Sequence, residues 1–107
     1  MPGPLVQGTF VTGPTGSGVG NFSDVLDVPQ GITSMTLTLT GLDGSNTVKT
    51  QKNTSAGGAW VDQTTYNSDQ TRISVPVTNL EQWRLAVVSQ GALKDIRYKM
   101  SIESINV

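Results

Sequence analysis

Carboxylates are the side chains of this sequence with the widest scope for chemistry, because it contains neither histidine nor cysteine. Five of the eight acidic residues could offer oxygen ligands to a calcium ion, namely Asp24, Asp27, Asp43, Asp62 and Asp69. The segment DGSN at 43–46 has part of a calcium-loop pattern, but it lacks the remaining spacing and the bidentate acid. Aspartate is also common in turns, where its side chain bonds the local backbone. We therefore expect no metal site.

Catalytic constellations are equally scarce. The absence of histidine and cysteine removes the commonest general base and the thiol nucleophile. No two acids pair in sequence on a buried face as a hydrolase would need, and a nucleophilic serine would need lysine as its base. The glycine-rich segment at 13–20 is not followed by lysine and has no strand-to-helix context, so it is not a phosphate loop. The sequence predicts a protein that is not an enzyme and binds no cofactor.

Charge and hydropathy exclude two further classes of partner. The net charge is −1 and 14 % of residues are charged, which argues against nucleic acid. No apolar run is long enough to span a bilayer, so we expect no membrane contact. The first residues, MPGPLVQGTF, lack a basic region followed by an apolar one. We therefore expect synthesis in a cytoplasm.

The elements that would position any site are predicted to be strands. Threonine, serine and glycine are abundant and good helix formers are few, which favours an all-β protein. In ITSMTLTLTG, Met35, Leu37 and Leu39 alternate with threonines, so one face should enter a core. About eight such strands, with turn signals between them, predict an antiparallel β-sandwich, and a jelly roll is the favoured form.

The stretch QWRLAVVSQG has two faces when it is read as a strand. Trp83, Leu85 and Val87 share one face, which we expect in the core. Arg84 and Val88 share the other, where they could contact a partner.

Aromatic residues raise the alternative of a carbohydrate-binding platform. Trp83 and Tyr98 are in phase with aliphatic neighbours and are predicted to be core. Trp60 follows a glycine-rich loop and Tyr66 precedes a turn, so these two remain candidates for sugar stacking.

The N-terminal residues 1–20 are rich in glycine and proline, and we expect a flexible arm followed by a sandwich domain over 21–107. LVQGTFV could instead form a short edge strand, or the terminus could simply be disordered. The arm hypothesis assigns partner contacts to Leu5, Val6, Phe10 and Val11, because a solvent-exposed linker has no need of apolar side chains.

The second half of the chain also shows a family pattern. A G-x-W-V strand is followed by an alternating strand, a W-R-L strand with a Ser/Gly turn, and a final amphipathic strand. The matching positions are Gly58, Trp60, Val61, Trp83, Arg84, Leu85, Ser89 and Gly91. This pattern resembles small β-sandwich virion structural proteins of tailed bacteriophages.

The resemblance implies a capsid cement or decoration protein on the surface of the virion, made in the host cytoplasm. Its expected partners are the major capsid protein and other copies of itself, as a dimer or trimer. A carbohydrate-binding module or a tail or fibre adhesion module is the alternative.

Overall fold

The computed structural model describes residues 2–10, 22–53, 58–78, 80–90 and 94–103. The strands are Pro2–Phe10 (β1), Leu26–Asp27 (β2), Ser34–Thr40 (β3), Asn46–Asn53 (β4), Val61–Tyr66 (β5), Gln70–Pro76 (β6), Gln82–Gln90 (β7) and Ile96–Glu103 (β8). No helix occurs within the described ranges, and the prediction of an all-β protein is confirmed. Accordingly, these residues contain no helix long and apolar enough to cross a membrane.

The strands form two antiparallel sheets of four that make a β-sandwich. Sheet A has the order β1-β8-β3-β6, and sheet B has the order β2-β7-β4-β5. Within the sheets β1 pairs with β8, β2 with β7, β3 with β6, and β4 with β5. The first half of the chain therefore pairs antiparallel with the second half. Successive strands lie in opposite sheets, except that β4 and β5 are neighbours in sheet B.

One apolar cluster fills the space between the sheets. Met35, Leu37 and Leu39 are buried while the threonines between them face outward, so the predicted alternation of β3 is confirmed. Trp83 is 3 % exposed and is also core, as predicted. The cluster comprises Val6, Phe10, Leu26, Val28, Met35, Leu37, Leu39, Leu42, Val48, Val75, Val77, Trp83, Leu85, Val87, Ile96, Met100 and Ile102. Burial of each large side chain contributes about 1.5–3 kcal/mol, which makes this cluster the main source of stability.

The N-terminal strand corrects the predicted arm. β1 is an edge strand of sheet A, where Val6 lies opposite Met100 and Phe10 opposite Ile96. Val6 and Phe10 are 8 % and 5 % exposed and belong to the core of their own chain. Their assignment as partner contacts is therefore wrong, and residues 2–10 belong to the sandwich. Residues 11–20, with Val11, lie outside the described part of the chain.

A glycine explains why β1 can pack despite its composition. Gly8 lies between Val6 and Phe10 on the inner face and opposite Tyr98 on β8. A Cβ atom at Gly8 would lie 2.7 Å from the Tyr98 hydroxyl, so the missing side chain leaves room for the phenol. The Phe10 ring then packs on the Tyr98 ring, with centroids 4.7 Å apart.

Candidate functional site

A cluster around Arg84 lies on the outer face of sheet B. Because side chains alternate along β7, burial of Trp83 and Leu85 leaves Arg84 on the opposite face. The strand register places Gln51 of β4 beside Arg84, and Asp62 of β5 beside Gln51. Together with the rings of Phe22 and Trp60, these residues are called the Arg84 cluster below.

Two aromatic rings pack on the guanidinium group. The guanidinium carbon of Arg84 lies 3.9 Å from the ring centroid of Phe22 and 4.2 Å from that of Trp60. Phe22 lies on the side of β7 that faces β2, where it forms an isolated β-bridge with Ala86. Trp60 immediately precedes β5, which lies on the other side of β7, beyond β4. Such contacts contribute about 0.5–1 kcal/mol each at exposed sites. They hold the cation in place from both flanks of its strand.

The segment that carries Phe22 is anchored to the backbone of β7. The backbone N–H of Ser23 donates to the Leu85 carbonyl at 2.9 Å. The Leu85 N–H in turn donates to the Ser23 hydroxyl at 2.8 Å, in a buried bond. This reciprocal pair fixes where Phe22 meets the sheet.

A chain of hydrogen bonds crosses sheet B and orients Arg84. The Arg84 Nε donates to Gln51 Oε1 at 2.8 Å, and Gln51 Nε2 donates to Asp62 Oδ1 at 2.8 Å. Lys49 Nζ donates to the other carboxylate oxygen of Asp62 at 3.0 Å. Donation from Gln51, followed by that from Lys49, lowers the pKa of Asp62. Since Gln51 is 8 % exposed and bonded at both ends of its amide, its orientation and that of Arg84 are fixed together.

Arg84 has further donors, on its terminal nitrogens, for which no described residue is an acceptor. Partial burial lowers the pKa of the guanidinium. Phe22 is 51 % exposed beside it. A planar donor flanked by aromatic surface suits a carboxylate or carbonyl group on another molecule, because guanidinium groups bind such oxygens in pairs.

A second polar feature is a cleft of about 370 Å³ at the side of the sandwich where β5 and β6 are the edge strands. Glu81 Oε1 accepts from the Thr78 N–H at 2.7 Å and from Trp83 Nε1 at 3.1 Å. Its Oε2 pairs with Lys52 Nζ at 3.2 Å. Burial alone would raise the pKa of Glu81, but the bonds from Thr78, Trp83 and Lys52 outweigh it, and the pKa is lowered. Because Thr78, Trp83 and Lys52 all donate to its carboxylate, Glu81 fixes the β6–β7 turn. We call these four residues the Glu81 clamp.

The segment DGSN at 43–46, which has part of a calcium-loop pattern, forms a turn. Asp43 Oδ1 accepts from the backbone N–H groups of Ser45 and Asn46 at 2.8 and 3.0 Å, and Asp43 Oδ2 pairs with Lys94 at 3.2 Å. These bonds lower the pKa of Asp43, that from Ser45 most. In the part of the chain that the structure describes, no group of three or more acidic side chains is arranged to hold a metal ion.

The residues predicted to bind a partner do not form one site. Leu5 and Val88 are exposed, at 51 % and 40 %, and Arg84 is half-buried. Leu5 lies on sheet A, whereas Arg84 and Val88 lie on sheet B, so the structure separates them.

Two members of the Arg84 cluster were missed by the sequence prediction, Phe22 and Gln51, and Asp62 was considered only as a possible calcium ligand. Gln51 and Arg84 are 33 positions apart, so only the strand register could have joined them. Trp60, a candidate for sugar stacking, does join the cluster, whereas Tyr66 packs partly against the core.

No protein-family model matches this sequence, and no curated protein shows significant similarity to it.

Proposed function

We propose that this chain is a structural protein of a bacteriophage virion, which binds the outside of the capsid shell and stabilises it. The Arg84 cluster is the observation that supports this most directly. Arginine and tryptophan are enriched among the residues that dominate the energy of protein interfaces. An arginine already held by two rings and a buried amide loses little conformational freedom when it binds.

The proposed mechanism is mechanical rather than chemical. Each copy contributes a modest contact, and many copies on a symmetric shell together raise the free energy needed to separate capsid subunits. We also propose that the sandwich is a jelly roll. The nested pairing of β1 with β8, β2 with β7, β3 with β6 and β4 with β5 supports this.

The proposed partners are the major capsid protein and further copies of this chain, as a dimer or trimer. Light scattering of the purified protein across a concentration series tests self-association. A mass of two or three chains supports it, and a single-chain mass at the highest concentration contradicts it.

The role itself is tested with particles that lack the protein. Phage produced with and without the gene would be purified, and the virion proteins identified by mass spectrometry. The proposal predicts that the protein is present in many copies per particle and that particles without it release DNA at a lower temperature. Adding the purified protein back should restore the release temperature. Absence of the chain from purified particles, or identical release temperatures, would contradict the proposal.

One observation favours a second function, binding of carbohydrate. The rings of Phe22 and Trp60 pack on Arg84, which is linked by hydrogen bonds through Gln51 to Asp62, and sugars bind through ring stacking and such polar groups. Isothermal titration with oligosaccharides from the host surface distinguishes the two functions. If the wild type binds an oligosaccharide saturably, Trp60→Ala does not, and the wild type does not bind capsid shells, carbohydrate binding would replace the capsid proposal.

A further inference from the structure

The outer face of sheet A carries a second polar surface, distinct from the Arg84 cluster. Because Met100 and Leu37 face the core, the residues next to them in the strands face outward. The register aligns Thr38 with Lys99 and Thr40 with Arg97 across β3 and β8. We call this surface, with Arg72 of β6, the cationic face.

Arg72 borders this face at a point where β6 is irregular. Opposite Thr38 the register between β3 and β6 shifts, and Arg72 adopts a φ of 49°, which is rare for a residue with a side chain. The Arg72 N–H donates to the Thr38 hydroxyl at 3.2 Å. Arg72 and Lys99 then border the same shallow depression with Thr36, Thr38 and Ser101.

Within the described residues, the cations of this face form no ion pair with an acid. Of the seven lysines and arginines in the chain, Lys49, Lys52 and Lys94 form ion pairs. Arg72, Arg97 and Lys99 form none with any described residue. The outward side chains described on β1, β3, β6 and β8 include no carboxylate. Three positive charges that no described carboxylate neutralises therefore share one face of a chain whose net charge is −1.

The shape of the face favours a macromolecular surface over a small ligand. The depression has a volume of only about 30 Å³, too little to enclose a molecule. Arg97 and Lys99 are two residues apart on one strand, roughly 7 Å, and Arg72 is two strands away from β8, roughly 10 Å. Exposed Leu5 adds an apolar contact, since it pairs with Ser101 on the outer face.

We infer that the cationic face docks on a carboxylate-rich protein surface. Charge complementarity favours this partner, because a flat face with three cations that no described acid neutralises repels basic surfaces and attracts acidic ones. This face and the Arg84 cluster lie on opposite outer surfaces of the sandwich, so one copy can contact two protein subunits at once. The inference extends the proposed bridging of capsid subunits, and it can be tested without a shell.

The experiment is an amide chemical-shift titration of the ¹⁵N-labelled protein with poly-L-glutamate at low salt. Two variants with equal net charge are compared: Arg97→Gln, and Lys94→Gln, whose lysine lies outside both the cationic face and the Arg84 cluster. The inference predicts shifts at Thr38 and Lys99 and about fivefold weaker binding for the first variant only. Circular dichroism checks that both variants are folded.

Several results would overturn the inference. Equal weakening in the two variants would show that binding follows net charge alone, and shifts confined to other strands would place the contact elsewhere. Tighter binding of heparin than of poly-L-glutamate, at the same residues, would replace the protein partner with a sulfated polysaccharide. If poly-L-glutamate binds as predicted but purified capsid shells do not bind the protein, the proposed function is contradicted while the inference about the cationic face is retained.

Discussion

Replacing Phe10 by alanine tests whether β1 is part of the sandwich. Phe10 is 5 % exposed and packs on the Tyr98 ring, so the change should cost about 3–5 kcal/mol. A domain of this size has a total stability of about 5–15 kcal/mol, so the loss is a large fraction of it. Leu5→Ala is the matched control, because Leu5 is on the same strand and 51 % exposed.

Urea denaturation followed by circular dichroism measures both variants. For a denaturant slope of about 2 kcal/mol per molar, a loss of 4 kcal/mol lowers the midpoint by about 2 M. The Leu5→Ala midpoint should change by less than about 0.3 M, since exposed substitutions usually stay within about 0.5 kcal/mol. Equal midpoints for the two variants would show that the N-terminal residues form a loose arm after all.

Three further predictions concern the Glu81 clamp and one turn. Trp83→Phe removes the indole N–H donor to a buried carboxylate and should cost about 1–3 kcal/mol in urea denaturation; an unchanged midpoint would contradict the clamp. Because folding lowers the pKa of Glu81, its stabilising contribution is present above the unfolded value near 4.5 and is lost as the pH falls through the folded value. The difference in thermal midpoint between wild type and Glu81→Gln should therefore shrink from pH 7 to pH 3, and a constant difference would refute this linkage. Gly41→Ala should cost more than about 1 kcal/mol, because Gly41 has a φ of 85° and a Cβ atom would collide with the Asp95 carbonyl; a neutral effect on the thermal midpoint would argue against that turn.

The strands were predictable where burial follows a simple period. Leu37 and Leu39 alternate with threonine on β3, and Trp83 alternates with Arg84 on β7, so inner and outer faces follow directly from the sequence. β1 was harder to predict because glycine and proline make up four of its nine residues. The inner face of β1 includes Gly8, whose role depends on the Tyr98 ring from the other end of the chain.

The Arg84 cluster could be predicted only in part. Arg84 was identified by its position opposite the core face of β7. Its partners were not, because Gln51 and Phe22 reach it through pairing between strands distant in sequence. No local pattern encodes that register, and a single phenylalanine before a short strand gives no sign of a cation to stack on.

The central claim is that the Arg84 cluster attaches this chain to a capsid. It is tested by adding the purified protein to capsid shells from which this protein has been removed. Phe22→Ala removes half-exposed aromatic surface from the cluster, and Leu80→Ala removes an exposed apolar side chain from the β6–β7 turn as a control. Cosedimentation should show saturable binding that Phe22→Ala weakens about tenfold or more, as expected for a dominant interface residue, while Leu80→Ala binds like wild type. Equal affinities of the wild type and the folded Phe22→Ala protein, or no binding by the wild type, would contradict the claim.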